Sequence, residues 1–197
     1  MSKPFRHTSD EVKAAILTAA TALANKDGWD QVTLRKVAAA IGYTTTIIYS
    51  HFKTKKAMLH CIAEGGYEQL NGEVQRAVQS AGADPGERLI ALVHAYVSFS
   101  RHYFSVYYLM HTPVLYQESS PPLNASKELL DFVCEEIAVA SQQSPHSEEV
   151  TARAFQLWSS IHGLIMIEAT YPVQHRTLDH DVIIEHIVRD FISKVKM

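Results

Sequence analysis

The densest group of chemistry-bearing side chains lies between Thr33 and Lys56. Thr44, Thr45 and Thr46 stand in a row, followed by Tyr49, Ser50 and His51 and then by Lys53, Lys55 and Lys56. Residues of these types offer hydroxyls, methyls and positive charge, which suit phosphate oxygens, base edges and the thymine methyl. Three consecutive threonines are a poor way to begin a helix, because a branched Cβ loses rotamer freedom against the preceding turn. One threonine serves as a helix cap; three together favour contact with a groove. Lys55 falls in the first turn of the next helix, where a lysine opposes the helix dipole. Its presence beside the free backbone N–H groups there points to an anion nearby. Tyr49, His51 and Lys53 are the other phosphate candidates, and Arg35, one helix earlier, can reach a guanine edge or a phosphate. Tyr43 to Thr46 are placed to meet base edges.

Charge divides the 197-residue chain in the same sense. Residues 1–60 hold nine Lys/Arg against four Asp/Glu, a balance of +5, while the remainder holds nine against seventeen. A basic head on an acidic body implies that only the head meets a polyanion. Charge alone does not distinguish DNA from RNA or from an anionic membrane surface. With 47% hydrophobic and 20% charged residues the composition is that of a folded chain. No run approaches the roughly 18 unbroken apolar residues of a membrane span, and the basic N-terminus lacks the apolar core of a secretion signal. A cytoplasmic protein is therefore expected. Cys61 and Cys134 are too few for a disulfide framework or a four-ligand zinc site. There is no Gly-x-Ser-x-Gly elbow, phosphate-binding glycine loop or dinucleotide fingerprint, so no catalytic residues and no cofactor are expected. The chain holds eleven histidines, yet neither His-x-x-x-His nor Cys-x-x-Cys, so no metal site is expected.

The elements that must position these residues read as helices throughout, giving an all-α chain of about nine. Thr8 and Glu11 form a capping box before Val12, Ile16, Ala19 and Leu23, and Gly28 supplies a stop. Thr33 caps a second helix that Gly42 ends. A short third helix runs from the threonines to about Phe52, giving residues 33–52 helix-turn-helix dimensions. Ala38, Ile41, Ile48 and Phe52 close its small core, and the N-terminal residues of its second helix belong at base edges in a major groove. Thr54 caps a long amphipathic segment reaching Gln79. Residues 87–111 read as one apolar helix with a break inside it before Pro113, then residues 117–124 as a loop. Further helices fit residues 125–142, 147–170 and 179–195. The domain division expected is a DNA-binding head, residues 1–53, and a helical effector-binding and dimerisation body, residues 54–197.

The run Ile41-Gly-Tyr-Thr-Thr-Thr-Ile-Ile-Tyr-Ser-His-Phe-Lys-Thr-Lys-Lys-Ala-Met-Leu59 resembles the signature of the TetR-type transcriptional regulators. Gly42, Ile48, Tyr49, His51, Phe52, Lys55 and Leu59 stand in its places, and Thr33 and Ala38 match upstream. The resemblance implies that Tyr49, His51 and Lys55 hold phosphates, while Arg35, Thr44, Thr45, Thr46 and Ser50 meet bases. Thr33, Tyr43 and Lys53 complete the expected DNA-binding set. Tyr43 and Ile47 depart from the pattern, in which smaller residues are usual.

In the body, residues 89–111 mix aromatic side chains with a few polar ones, as a small-molecule cavity requires. Phe99, His102, Tyr103 and Tyr107, facing Phe155, Trp158, His162 and Met166, are the expected effector-binding residues; for any one tyrosine, core packing is the alternative. Trp158-Ser-Ser-Ile-His162-Gly163 resembles a signature of one class of TetR-type C-terminal domains, which implies an effector pocket and dimerisation by the last two helices. Leu157, Ile161, Leu164, Ile165, Val182, Ile183, Ile187, Val188, Phe191 and Ile192 are the apolar surface expected to meet in an intermolecular four-helix bundle, and Gly163 suits close helix crossing. The expected partners are a pseudo-palindromic DNA duplex, a small apolar or aromatic effector and a second copy of the chain. The resulting expectation is a repressor released from its operator by the effector. The alternatives are an all-α small-molecule-binding protein or enzyme without duplex DNA binding, or an RNA-binding protein.

Overall fold

The computed structural model describes residues 8–116, 121–170 and 179–195. Among these residues there are nine α-helices and no strand. They are α1 (Ser9–Asp27), α2 (Leu34–Ile41), α3 (Thr45–His51), α4 (Lys55–Ser80), α5 (Pro85–His102), α6 (Phe104–Met110), α7 (Asn124–Ser141), α8 (Glu148–Thr170) and α9 (His180–Val195). The all-α reading holds. The N-terminal residues 1–7 and the first half of the expected loop, 117–120, lie outside the described residues.

Local chemistry sets the boundaries at the basic end. The Thr8 hydroxyl accepts the Glu11 N–H at 3.2 Å, and the Glu11 carboxylate accepts the Thr8 N–H at 2.7 Å, so the capping box is complete. Thr33 caps α2 by accepting the Lys36 N–H at 3.1 Å. Gly42 ends α2 in the left-handed region, φ +70°, the conformation a glycine C-terminal to a helix adopts without strain. The Thr54 hydroxyl accepts the Ala57 N–H and starts α4. A single 3-10 turn, Trp29–Gln31, joins α1 to α2. The expected break in the 87–111 segment falls at Tyr103, between α5 and α6.

The chain divides into two compact units. The first comprises residues 1–66 and 103–123, the second residues 67–102 and 124–197. The first unit therefore keeps the opening turns of α4 and takes in α6, whereas the sequence suggested a division at 53/54. Its core holds Ile16, Val37, Ile48 and Met58 with Tyr107, Leu109 and Met110 from α6, all fully or almost fully buried. Gly66 on α4 lies so close to α6 that a Cβ there would stand 2.7 Å from Val106 Cγ1 and 2.9 Å from Met110 Sδ.

In the second unit Leu89, Val93, Ile137, Leu157, Ile161, Ile165, Ile184, Val188 and Phe191 form the core. This corrects part of the expected dimer surface. Leu157, Ile161, Ile165, Val188 and Phe191 pack inside their own protomer, and Leu164, Ile183, Ile187 and Ile192 are half-buried. Helix α8 is apolar on more than one side, so its periodicity marks the stripes without saying which one turns inward.

Candidate functional site

Helix α2 packs against both α1 and α3, and Val37, Ala38, Ile48 and Phe52 are buried. Thr33, Arg35, Thr44, Thr45, Thr46, Tyr49, Ser50 and Lys53 are exposed, and Tyr43, His51 and Lys55 are half-buried. All eleven residues of the expected DNA-binding set thus retain some access to solvent.

Their polar groups are not equally available. The Thr33 hydroxyl is taken up by the α2 cap. The Ser50 hydroxyl donates to the Ile47 carbonyl at 2.7 Å, back along its own helix. The Lys55 ammonium donates to the Trp29 carbonyl at 2.6 Å and lies 3.5 Å from the Asp30 carbonyl, which leaves at least one of its three N–H groups for another acceptor. Thr44 occupies the N-cap position of α3, yet its side chain makes no capping hydrogen bond. None of Thr44, Thr45 and Thr46 hydrogen-bonds through its hydroxyl to another described residue. The N-cap and first turn of α3 thus hold three exposed threonines whose hydroxyls are bonded to no other described residue.

Trp29 was missed from the sequence. Its indole N–H donates to the Ser105 carbonyl of α6 at 2.7 Å while its own carbonyl holds Lys55. The signal was a tryptophan directly after Gly28 in a short connection, a large side chain with no reason to sit there unless it docks.

Residues 16–62 match the family described as bacterial regulatory proteins, tetR family, and residues 89–191 match the tetracyclin repressor-like C-terminal domain. The chain belongs to the TetR family. An uncharacterized HTH-type transcriptional regulator of Mycobacterium tuberculosis, Rv0681, is 21% identical over 158 residues, covering 80% of this chain and 70% of its own. The fold is shared with a Rhodococcus sp. RHA1 protein of unknown function at a TM-score of 0.84 and 22% identity, covering all of both chains. It is shared also with the fatty acid degradation regulator FadR of Bacillus halodurans, at a TM-score of 0.70 and 14% identity over 98% of this chain and 97% of that one. As a TetR-family transcriptional regulator, the chain carries the matched N-terminal segment, residues 16–62, across α1 to α4.

The C-terminal half of this TetR-family chain shows where the expected effector residues stand. Phe155, Trp158 and His162 come together along α8, with ring centroids 5.8 Å and 6.0 Å apart for the successive pairs. The Trp158 indole N–H donates to the Tyr96 hydroxyl of α5 at 3.0 Å. Phe155 and Trp158 are 44% and 40% exposed, and Met166, one turn beyond His162, is half-buried. Phe99 is buried in the core of the same unit. Tyr103, exposed, and Tyr107, fully buried, belong to the first unit instead. His102 is exposed, with Nδ1 at 2.8 Å from the Ser98 carbonyl.

A groove of about 790 Å³ runs between α5 and α9, and His102 is the one expected effector residue that lines it. Several of its ionisable side chains pair with one another across it. His94 meets Glu185 at 2.8 Å, Arg101 meets Asp181 at 2.7 Å, and Arg189 holds the other oxygen of Glu185 at 2.9 Å. The hydrogen bond from His94, with help from Arg189, keeps the Glu185 carboxyl below its usual range.

Burial holds the His162 imidazole below its ordinary value, favouring the neutral ring. A histidine whose folded value is depressed adds no penalty above the unfolded value of about 6.5, and destabilises the fold as pH falls below it, where the unfolded chain binds the extra proton. The thermal midpoint of the native protein is accordingly expected to fall between about pH 7.5 and 5.5. His162→Gln should show a shallower fall over the same range in thermal melts. An identical slope would mean that His162 does not set the pH dependence.

Proposed function

We propose that the chain is a homodimeric repressor that binds a pseudo-palindromic operator through α2 and α3 and leaves it when a small apolar or aromatic effector enters the helical body. The observation that carries the DNA-binding surface is the outward first turn of α3, whose three threonine hydroxyls are bonded to nothing else in the described structure. Arg35 and Thr44 to Thr46 read bases, with Tyr43 beside them, while Tyr49, His51, Lys53 and the remaining donor of Lys55 hold phosphates. Thr33 and Ser50 shape this surface through their backbone bonds.

Two sides of α8 have different roles in this reading. Phe155, Trp158, His162 and Met166 recur at helical spacing beside Tyr96 and form the effector wall. About a quarter-turn round the helix, Ser159, Gly163 and Ile167 form the side that meets the partner, joined by Ile183 and Ile187 of α9. Effector binding shifts the dimer between two arrangements of its heads, of which one matches major grooves about 34–36 Å apart. A coupling of about 1–3 kcal/mol changes operator occupancy some 5–150-fold. The protein acts in the cytoplasm and without catalysis. No helix among the described residues is long and apolar enough to cross a membrane.

Gel-shift titration of duplexes over a salt series tests the reading. Native protein is expected to select a palindromic duplex, with affinity falling steeply as salt rises. Lys53→Ala should weaken all duplexes alike and make the salt slope shallower by about one, because one phosphate is no longer neutralised. Lys55→Ala should do the same and also lower the thermal midpoint, because the Trp29 carbonyl loses its donor. Failure of the native protein to bind any duplex, with turnover of a small molecule, would replace the repressor with an enzyme.

A further inference from the structure

We infer that, beside the contact assigned to Arg35, each operator half-site is read by the first turn of α3 through the C5-methyl groups of thymines. This inference rests on the DNA-binding reading above and names the feature of the duplex that the surface recognises. Helix α3 and its leading corner lack the usual hydrogen-bonding readers: between Tyr43 and His51 there is no Arg, Lys, Asn or Gln. Those are the side chains that reach guanine or adenine, most selectively with two parallel hydrogen bonds. The remaining polar groups are few. Ser50 directs its hydroxyl to the Ile47 carbonyl, Tyr43 and His51 are half-buried, and the exposed Tyr49 is the phosphate contact assigned above.

Thr44, Thr45 and Thr46 are exposed, and even Thr44, in the N-cap position, leaves its hydroxyl unbonded to the helix. Each offers one hydroxyl and one methyl. A hydroxyl donates or accepts and is satisfied by any base edge, so it discriminates little. A methyl gains by touching another methyl, and among the four bases only thymine presents one in the major groove. The half-buried Ile47 beside them adds an apolar side chain and no polar group. The discriminating chemistry of this turn is therefore apolar contact, and its target is a thymine-rich step.

The experiment uses the 197-residue chain and a duplex that the native protein has selected from a random library. Each thymine of one half-site is replaced singly by deoxyuridine, which removes the methyl and leaves every hydrogen-bonding group in place. At two or more positions, native protein is expected to lose about three- to fivefold in affinity per methyl, the fold-change for removing one buried carbon from an apolar contact. Thr44→Ser, Thr45→Ser and Thr46→Ser keep the hydroxyl and remove the methyl. Each should erase the thymine-to-uracil difference at its own position, whereas Thr45→Val, which keeps methyl shape without the hydroxyl, should preserve it. Circular dichroism of the serine variants checks that α3 is intact. Unchanged affinity for every uracil duplex, or a uracil loss that persists in all three serine variants, would overturn the inference while leaving DNA binding standing. Failure of the native protein to enrich any duplex would overturn both.

Discussion

Gly163→Glu is expected to leave the protomer folded, convert the dimer to monomers and lower affinity for a full operator by a factor of about 10²–10⁴. The prediction comes from a glycine that its own protomer does not need. Gly163 lies inside α8, where glycine costs roughly 0.5–1 kcal/mol relative to alanine. A Cβ added there would meet nothing within 4 Å, so no neighbour in the protomer forbids a side chain. The contrast with Gly66, where a Cβ would strike Val106, is direct. Exposed Ser159 and Ile167 flank Gly163 on one side of the helix. A second copy crossing close to the backbone would account for the small residue at that point. Glutamate would push the partner away and bring a charge to the crossing. Two linked heads bind a palindrome with an effective concentration that separate heads lack, which is why the full operator loses so much and a half-site so little. Light scattering should report the monomer, circular dichroism an unchanged helix content, and gel shift the selective loss on the full site. A variant that stays dimeric would move the interface away from this side of α8.

How far the sequence reveals such features depends on how local their causes are. Thr8 with Glu11, Thr33 and Gly42 act within three or four residues of themselves, and each boundary they predict is present. The threonine-rich turn was legible from its residue types alone, three short polar side chains between the left-handed Gly42 and the buried Ile48, and all three are exposed. Bonds formed across the chain were not legible. Nothing near Lys55 announces that its ammonium holds a carbonyl 26 residues earlier, or near Trp29 that its indole reaches Ser105. The inward packing of Leu157, Ile161 and Ile165 has a different origin. Leu157, Ile161 and Ile165 are as apolar as Phe155, Trp158 and Met166, and only α5, α7 and α9 packing on one side decide between them. The charged groove between α5 and α9 was hidden likewise, because His94 and Glu185 lie 91 residues apart.

One such long-range pair carries the largest expected effect on stability. Arg88→Met should destabilise the fold by about 3–5 kcal/mol, because it leaves a buried carboxylate without its partner. Glu136 on α7 is 5% exposed. Arg88 on α5 grips both of its oxygens, Nε to Oε2 at 2.8 Å and Nη2 to Oε1 at 2.6 Å, in a two-pronged, charge-assisted bond. At about 2–4 °C per kcal/mol for a chain of this size, the thermal midpoint should drop by roughly 10 °C. The two partners differ in exposure. The Arg88 side chain is 27% exposed and the Glu136 side chain 6%, so a solitary arginine still reaches water and a solitary glutamate does not. Glu136→Gln should therefore cost less than Arg88→Met. Desolvating two charges offsets most of their attraction, so an apolar pair of similar volume is often as stable as the ion pair. Arg88→Met combined with Glu136→Leu should accordingly recover most of the lost midpoint. Differential scanning calorimetry of the two single variants and the double variant measures this coupling. A double variant as unstable as Arg88→Met alone would mean that the arginine acts by filling space between α5 and α7 rather than by neutralising the carboxylate.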